Sequence, residues 1–477
     1  MKTVLLAGVA AFALTAPGLT QDADATNDDA DVIVVEATYT KLDAFVYPGM
    51  TASIDAEALD LRRPADLDDL LRSMPGLDVA GGPRRTGQTI ALRGQGRENT
   101  TLLLDGARQN YSSGHDGVFF IDPALLVGVE AVRGPASAIY GSGASGGVVS
   151  FRTASAHNGQ GNAGVDPLNA LADKDITADN LTLTAAIAPS TIDWLDLELT
   201  VYRNETGVDE RETVSGRQLR RDLETVGIRG DQRFEFNLGA YEAGLTVGGE
   251  YYEDSQDGFD SADPDGTRGG APDADSQFTA GWVQLELDGP APFGLPGRMI
   301  VLPGVRYDEF ETSTPSSAAV SNDAVSQRLG LTYAPVDTFN IFVSWGEAFR
   351  APSINELYLD GTHFSFPHPI LGAPIFVSND FIANPDLLPE ETETLEIGFG
   401  VDLADRVGVD RLDLRASWYE TEAENLIDLS VDFAFDGSCF APPFLPCTAG
   451  TTQSSNVGSA DLSGYEIQAS FAEGPFS

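Results

Sequence analysis

Histidine is the scarcest informative residue in this 477-residue chain, with four copies, at positions 115, 157, 363 and 368. Cysteine is down to two, and methionine and tryptophan to four each. These scattered thiols and imidazoles have no zinc-cluster spacing, and nothing resembles a Ser-His-Asp set. The chain therefore reads as no enzyme, with no catalytic cofactor. Positive charge is short as well: 28 Lys and Arg face 73 Asp and Glu, a net charge of −45. Such a surface repels nucleic acid. Long apolar runs are missing, since no stretch past the N-terminus approaches the ~20 residues of a membrane helix. If the chain crosses a membrane, it must do so as a closed β-barrel, because lipid leaves no other way to pair the backbone.

What is present begins with an export signal. Lys2 precedes the short apolar run "VLLAGVAAFALTA" (4–16), so residues 1–25 read as a signal peptide, cut between about Thr20 and Ala25. In an exported chain, the pair in "CFAPPFLPC" suggests one loop disulfide, Cys439–Cys447, the alternative being two free thiols.

Two halves of the chain follow different rules. In "ADLDDLLRSMPGLDV", Leu67, Leu70, Leu71 and Met74 form a helical stripe, with Asp66 as N-cap and Pro75-Gly76 as stop. The apolar runs at 89–94, 101–106, 128–134 and 146–153 complete a small α+β domain over 39–155. "GSGASG" (141–146) fits a dinucleotide-binding glycine pattern, but a strand follows it where a helix should, so tight turns explain it. From about residue 178 a period of two takes over. In "LDLELTVY" (195–202) and "RLDLRASWY" (411–419), apolar residues alternate with polar ones. Charge on the polar face and aromatics near the segment ends fit strands with an apolar outside and a polar lumen.

About eleven such strands can be counted, joined alternately by short turns and long polar loops. The long loops are expected near 204–216, 254–276, 311–325, 349–391 and 426–458. The loop at 253–275 holds eight acids and one Arg, a solvated surface or a divalent-ion site. Plugged barrels have about 22 strands. The expectation is an incomplete chain, with an odd number of strands missing between about 155 and 178 and others beyond Ser477. The segment "FRAPSINELYLDGTHFSFPHPI" (349–370) carries two of the four histidines and shows no helical period.

Together these segments resemble the TonB-dependent outer-membrane receptors, and among them the haem/haemoglobin receptor family. "DVIVVEAT" resembles the TonB box: Asp31, Val32, Ile33, Val34, Val35, Glu36, Ala37 and Thr38 would offer a strand to the energy-transducing TonB protein. "LRGQGRENTTLLLDGARQ" and "IDPALLVGVEAVRGPASAIYGSGASGGVVSFRT" resemble the family's plug. "FRAP" (349–352) and "NPDLLPE" (384–390) resemble the paired boxes of haem receptors, with Asp386 where Asn is usual.

The resemblance implies an all-β transmembrane antiparallel barrel over 178–477, of the 22-stranded type, around an N-terminal α+β plug. It implies a monomer in the lipid of the bacterial outer membrane. Haem, free or from a haemoprotein, would be the transported ligand. Its iron would lie between two axial ligands, His115 on a plug loop and His363 on an outer loop. Tyr358, Phe364 and Phe366 would pack the porphyrin and Arg350 would pair a propionate, unless Arg350 is a structural anchor. His368 has no place in the family pattern. Alternatives are a ferric-siderophore or cobalamin receptor and, in another class, a passive pore or adhesin.

Overall fold

The computed structural model describes residues 36–80, 88–109, 121–153, 158–162, 172–192, 194–373 and 375–472. The first part, up to 153, builds two small sheets. Its strands are β1 (Thr51–Ile54), β2 (Leu77–Ala80), β3 (Thr89–Leu92), β4 (Gln95–Gly96), β5 (Thr100–Leu104), β6 (Ala107–Arg108), β7 (Leu126–Arg133) and β8 (Gly147–Thr153). They order as β1-β7-β8-β5-β6 and β2-β3-β4. Helices α1 (Ala56–Arg62) and α2 (Leu67–Leu71) cover one side, and α3 (Ser137–Tyr140) follows β7. The expected stripe is buried: Leu67, Leu70, Leu71 and Met74 all join the main core with Val129, Val149 and Phe151. Asp66 caps α2 by accepting from the Asp69 amide at 2.9 Å. Met74 lies in the turn beyond the helix, where its amide donates to the Leu71 carbonyl.

The second part is one wall, antiparallel except where β19 meets β22. After β9 (Asn158–Asn162) come β10 (Ala172–Ile187), β11 (Leu197–Glu212), β12 (Gln218–Leu238), β13 (Tyr241–Asp260), β14 (Ala274–Pro290), β15 (Arg298–Thr314), β16 (Ser317–Val336) and β17 (Phe339–Arg350). Then follow α4 (Ile354–Tyr358), β18 (Thr362–Pro367), β19 (Phe376–Phe381), β20 (Glu390–Asp402), α5 (Ala404–Val407), β21 (Arg411–Asp432) and β22 (Thr451–Ala472). The order is β18-β19-β22-β21-β20-β17-β16-β15-β14-β13-β12-β11-β10-β9. The interval expected to lack strands therefore holds β9, which pairs with residues 175–179 of β10. The wall also starts before residue 178.

Strand β20 shows why the wall suits lipid. Glu390, Thr392, Thr394 and Glu396 are buried, while Leu395, Ile397 and Phe399 are exposed. A protein folded in water would invert that choice. Here the polar face looks onto the plug and the apolar face outward.

The strands are longer than their alternation suggested. β21 and β22 have 22 residues each, roughly 70 Å at about 3.3 Å per residue. The apolar band of such a wall is only about 25 Å tall, so the excess projects beyond it. Two stretches expected as loops are mostly strand: 204–216 continues β11, and β15 passes to β16 through residues 315–316. Beyond the membrane both faces are wet, so backbone pairing continues while the apolar alternation stops. The loops that remain at this end are 213–217, 261–273, 351–389 and 433–450. Turns at the opposite end are short, and the start of the described chain lies there: Lys41 Nζ donates to Glu235 Oε1 at 2.7 Å.

The first part fills the wall's interior and is ion-paired to it. Arg93 donates to Glu396 and twice to Glu466, all at 2.9 Å, and Arg133 donates to Glu466 at 3.2 Å and Gln468 at 2.7 Å. The four charged side chains are at most 5% exposed. Burial alone would lower the Arg93 pKa, but the two carboxylates outweigh it and raise it. From the wall, Arg306 donates to the Ile139 carbonyl at 2.8 Å, and Arg415 to that of Tyr47 at 2.8 Å. The glycine run is explained by packing. A Cβ on Gly143 (φ +82°) would meet the Glu98 carbonyl at 2.6 Å, and one on Gly147 (φ +133°) would meet that of Val132 at 2.1 Å.

Candidate functional site

Segment 349–370 is less irregular than its sequence suggested. Ser353 and Glu356 form a reciprocal capping box that starts α4. The pattern Ser-x-x-Glu was legible; the five-residue helix was too short to show a period.

The two boxes are structural latches. Phe349 ends a ladder of rings, Tyr252–Phe278–Phe310–Phe349, with centroids 4.5, 5.6 and 5.8 Å apart. The Phe349 carbonyl accepts from the Gly143 amide at 2.9 Å, and the Ala351 amide donates to Ser142 Oγ at 2.9 Å, so the box grips the plug directly. In the second box, Asn384 donates to the Ser454 carbonyl at 2.9 Å and its amide donates to that of Leu357 at 2.9 Å. Leu387 is buried with Ile354 and Leu357. Asp386 is exposed. A carboxylate can stand there for an amide because the position faces water.

Arg350 has a different role from the expected propionate contact. It is 4% exposed and pairs with Glu98 of the plug, Glu356 of α4 and Glu390 of β20, each at 2.8 Å. Its fork is spent on three carboxylates, so it is the structural anchor. Tyr358 is likewise no open ring. It is 6% exposed, packs in the Leu387 cluster, and its hydroxyl donates to the Thr312 carbonyl at 3.1 Å.

His363, Phe364 and Phe366 do share a surface. They lie on β18, which pairs with β19, and β19 pairs in parallel with the outer end of β22 through Asp380↔Thr451 and Phe381↔Thr452. The half-buried His363 ring stacks on Phe381 at 4.4 Å and tilts against Phe364 at 4.6 Å. Rings continue through Phe366, Phe433, Phe435 and Phe440 at 5.2 to 6.1 Å. Phe366, Phe433 and Phe440 are exposed, so an aromatic ridge crosses the outer loops. Its far side belongs to loop 433–450, which the sequence reading did not join to the site. That loop is closed by a Cys439–Cys447 disulfide with Cα atoms 4.9 Å apart.

His115 and the first five residues of the 31–38 segment lie outside the described residues, as does His157. The last three form a 3-10 turn, Glu36–Thr38, docked on the plug. The Ala37 amide donates to Glu130 Oε2 at 3.1 Å, and Tyr140 Oη donates to the Ala37 carbonyl at 2.8 Å. A cavity of about 130 Å3 lies between plug and wall. Arg108, Gln109, Tyr252, Asp254 and Asn355 are among its lining. It is small beside a typical ligand pocket of ~300 Å3 or more. Among the described residues, no group of three His, Cys, Asp or Glu can hold a metal ion, and the acidic 253–275 loop is no exception.

His368 is a structural residue. It is 2% exposed. Its Nδ1 accepts from the Ile370 and Leu371 amides, both at 3.1 Å, so the proton is on Nε2, which donates to the Phe444 carbonyl at 2.9 Å. Both nitrogens are occupied in pinning loop 433–450 to the hairpin. His368→Ala should cost this region ~1–3 kcal/mol. Amide exchange at Ile370 and Leu371 should quicken accordingly, with cargo affinity changed less than about twofold.

A plug latched inside a wall with an apolar exterior defines a gated outer-membrane receptor. Residues 95–477 match the model of the TonB dependent receptor-like β-barrel family, and the chain belongs to that family. It is accordingly a protein of the bacterial outer membrane that works with TonB. A hemin receptor of Yersinia enterocolitica is 28% identical over 535 residues, covering 92% of this chain and 75% of that protein. The heme/hemopexin utilization protein C of Haemophilus influenzae is 23% identical over 611 residues, with 96% and 82% covered. Among solved structures, a double mutant of the Serratia marcescens hemophore receptor HasR, in complex with its hemophore HasA and heme, matches with a TM-score of 0.71 at 19% identity, covering 91% and 81%.

Proposed function

We propose that the chain is a TonB-dependent receptor for active uptake of haem, taken free or from a haemoprotein. The observation that carries this reading is the setting of His363. It is an imidazole on an outer hairpin, flanked by Phe381 and Phe364, at the head of an aromatic ridge. Neutral imidazole suits haem iron, and flat rings suit a porphyrin. The relatives named as a hemin receptor and a heme/hemopexin utilization protein point to the same cargo. His115 supplies the second ligand from the plug, and Phe364 and Phe366 pack the macrocycle. TonB grips the 31–38 segment through residues 31–35, taken up as an added strand, and supplies the energy.

The test is a hemin titration of the purified receptor, followed by visible spectroscopy. His363→Ala and His115→Ala together should weaken hemin at least ~10-fold and remove the bis-histidine, low-spin spectrum. An unchanged spectrum and affinity would hand the cargo to the siderophore or cobalamin reading, where the histidines are incidental.

A further inference from the structure

We propose that Thr452 and Asn379 are positioning residues that set the tautomer of His363 and aim its Nε2 lone pair at the cargo. This rests on the reading of His363 as an iron ligand.

The assignment follows from counting protons. Asn379 is fully buried, and its Nδ2 lies 3.1 Å from each of two carbonyls, Asp432 and Ala449. Carbonyls only accept, so the amide cannot be flipped, and Oδ1 must point the other way. There it meets the Thr452 hydroxyl at 2.6 Å. Oδ1 cannot donate, so the single hydroxyl proton of Thr452 is spent on it. The Thr452 oxygen also lies 2.9 Å from His363 Nδ1 and has only a lone pair left to offer. His363 Nδ1 therefore carries the proton. In a neutral imidazole the lone pair is then on Nε2.

Iron binds the unprotonated nitrogen, and a donor bond from the other one fixes the ring and raises its basicity. Thr452 is fully buried, so water does not compete for the bond. The relay is anchored in backbone at both ends of the disulfide-closed loop: Asp432 ends β21 and Ala449 lies two residues before β22. The pairing of Phe381 with Thr452 sets the hairpin on β22. His368, in the turn between β18 and β19, holds the opposite tautomer, its Nδ1 lone pair turned to backbone amides. The two histidines are thus set apart by their partners, five residues from each other.

The test uses the whole receptor labelled with [15N]histidine, where four imidazoles give a readable spectrum. Cargo-free wild type should show His363, assigned by its loss in His363→Ala, protonated at Nδ1. Thr452→Val should shift it towards a tautomer mixture and weaken hemin about 10-fold, the lower end for loss of such a partner. Thr452→Ser should restore both. On a His363→Ala background, Thr452→Val should change hemin affinity no further. The proposal is overturned if Thr452→Val keeps the wild-type tautomer and affinity, or if it weakens hemin equally without His363. If His363→Ala binds hemin as wild type does, the ligand reading fails by itself. The tautomer signal in cargo-free protein still decides the relay.

Discussion

Arg350→Ala is expected to destabilise the receptor by roughly 3–5 kcal/mol, the range for removing one partner of a buried ion pair. Three carboxylates converge on this guanidinium, from the plug (Glu98), the outer helix (Glu356) and the wall (Glu390). Without the cation they face one another in a site that is largely closed to water. Glu390 is also held by the Asn99 amide at 3.0 Å and by the Ile427 backbone at 2.7 Å, so it cannot swing out. Glu98 and Glu356 keep some side-chain exposure, 15% each, which places the effect towards the lower end of that range. Lysine should not rescue the variant. One ammonium cannot span three carboxylates arranged around a planar fork. The measurement is the urea midpoint at which the plug becomes open to protease in detergent-solubilised receptor. A midpoint within error of wild type would show that water, rather than Arg350, holds the three acids.

The same residue shows how far sequence carries. The barrel class was legible because alternation is a direct imprint of a two-faced wall; β20 writes it without a break. The plug helix α2 was legible because its three buried leucines and Met74 just beyond it share one core. By contrast α1 buries only Leu59, so it leaves no stripe. The extended outer halves of β11, β15 and β16 were invisible for the opposite reason, since strands wet on both faces lose their pattern. For the site, family-like boxes pointed to the segment that carries His363, but they did not show which side chains already have partners. Arg350 and Tyr358 sit in a ligand-like setting by composition, and only three-dimensional packing shows that their polar atoms are already used. Asn379 and Thr452 carried no local signal. Their importance comes from a pairing of residues 73 apart in sequence.

Removing residues 31–35 should abolish energised uptake while leaving cargo affinity within about twofold. An outer-membrane receptor has no energy source of its own, so transport depends on a strand that TonB can grip. The deletion is drawn to stop before Glu36. Ala37 is 6% exposed and bonded to Glu130 and Tyr140, and Thr38 is bonded to Thr40 at 2.8 Å. Removing those three residues as well would take one bond from Glu130 and the Ala37 acceptor from the buried Tyr140 hydroxyl, the latter at ~1–3 kcal/mol. The longer deletion, 31–38, should therefore lose uptake and also lower the plug's stability. The shorter one should lose uptake alone. Uptake of labelled hemin into whole cells, paired with binding to the same cells after energy poisoning, separates the two effects. If the 31–35 deletion still accumulates cargo, the segment is not the coupling strand. If it loses binding together with uptake, the defect lies in the folded plug and the grip point must be sought further along the chain. The geometry favours the first five residues as the grip, because Glu36–Thr38 already have their bonds inside the lumen. A pull transmitted through Ala37 would act first on Glu130 of β7, the strand whose last residue, Arg133, is ion-paired to Glu466. Force applied at the box thus reaches the buried plug–wall ion pairs by way of a single strand.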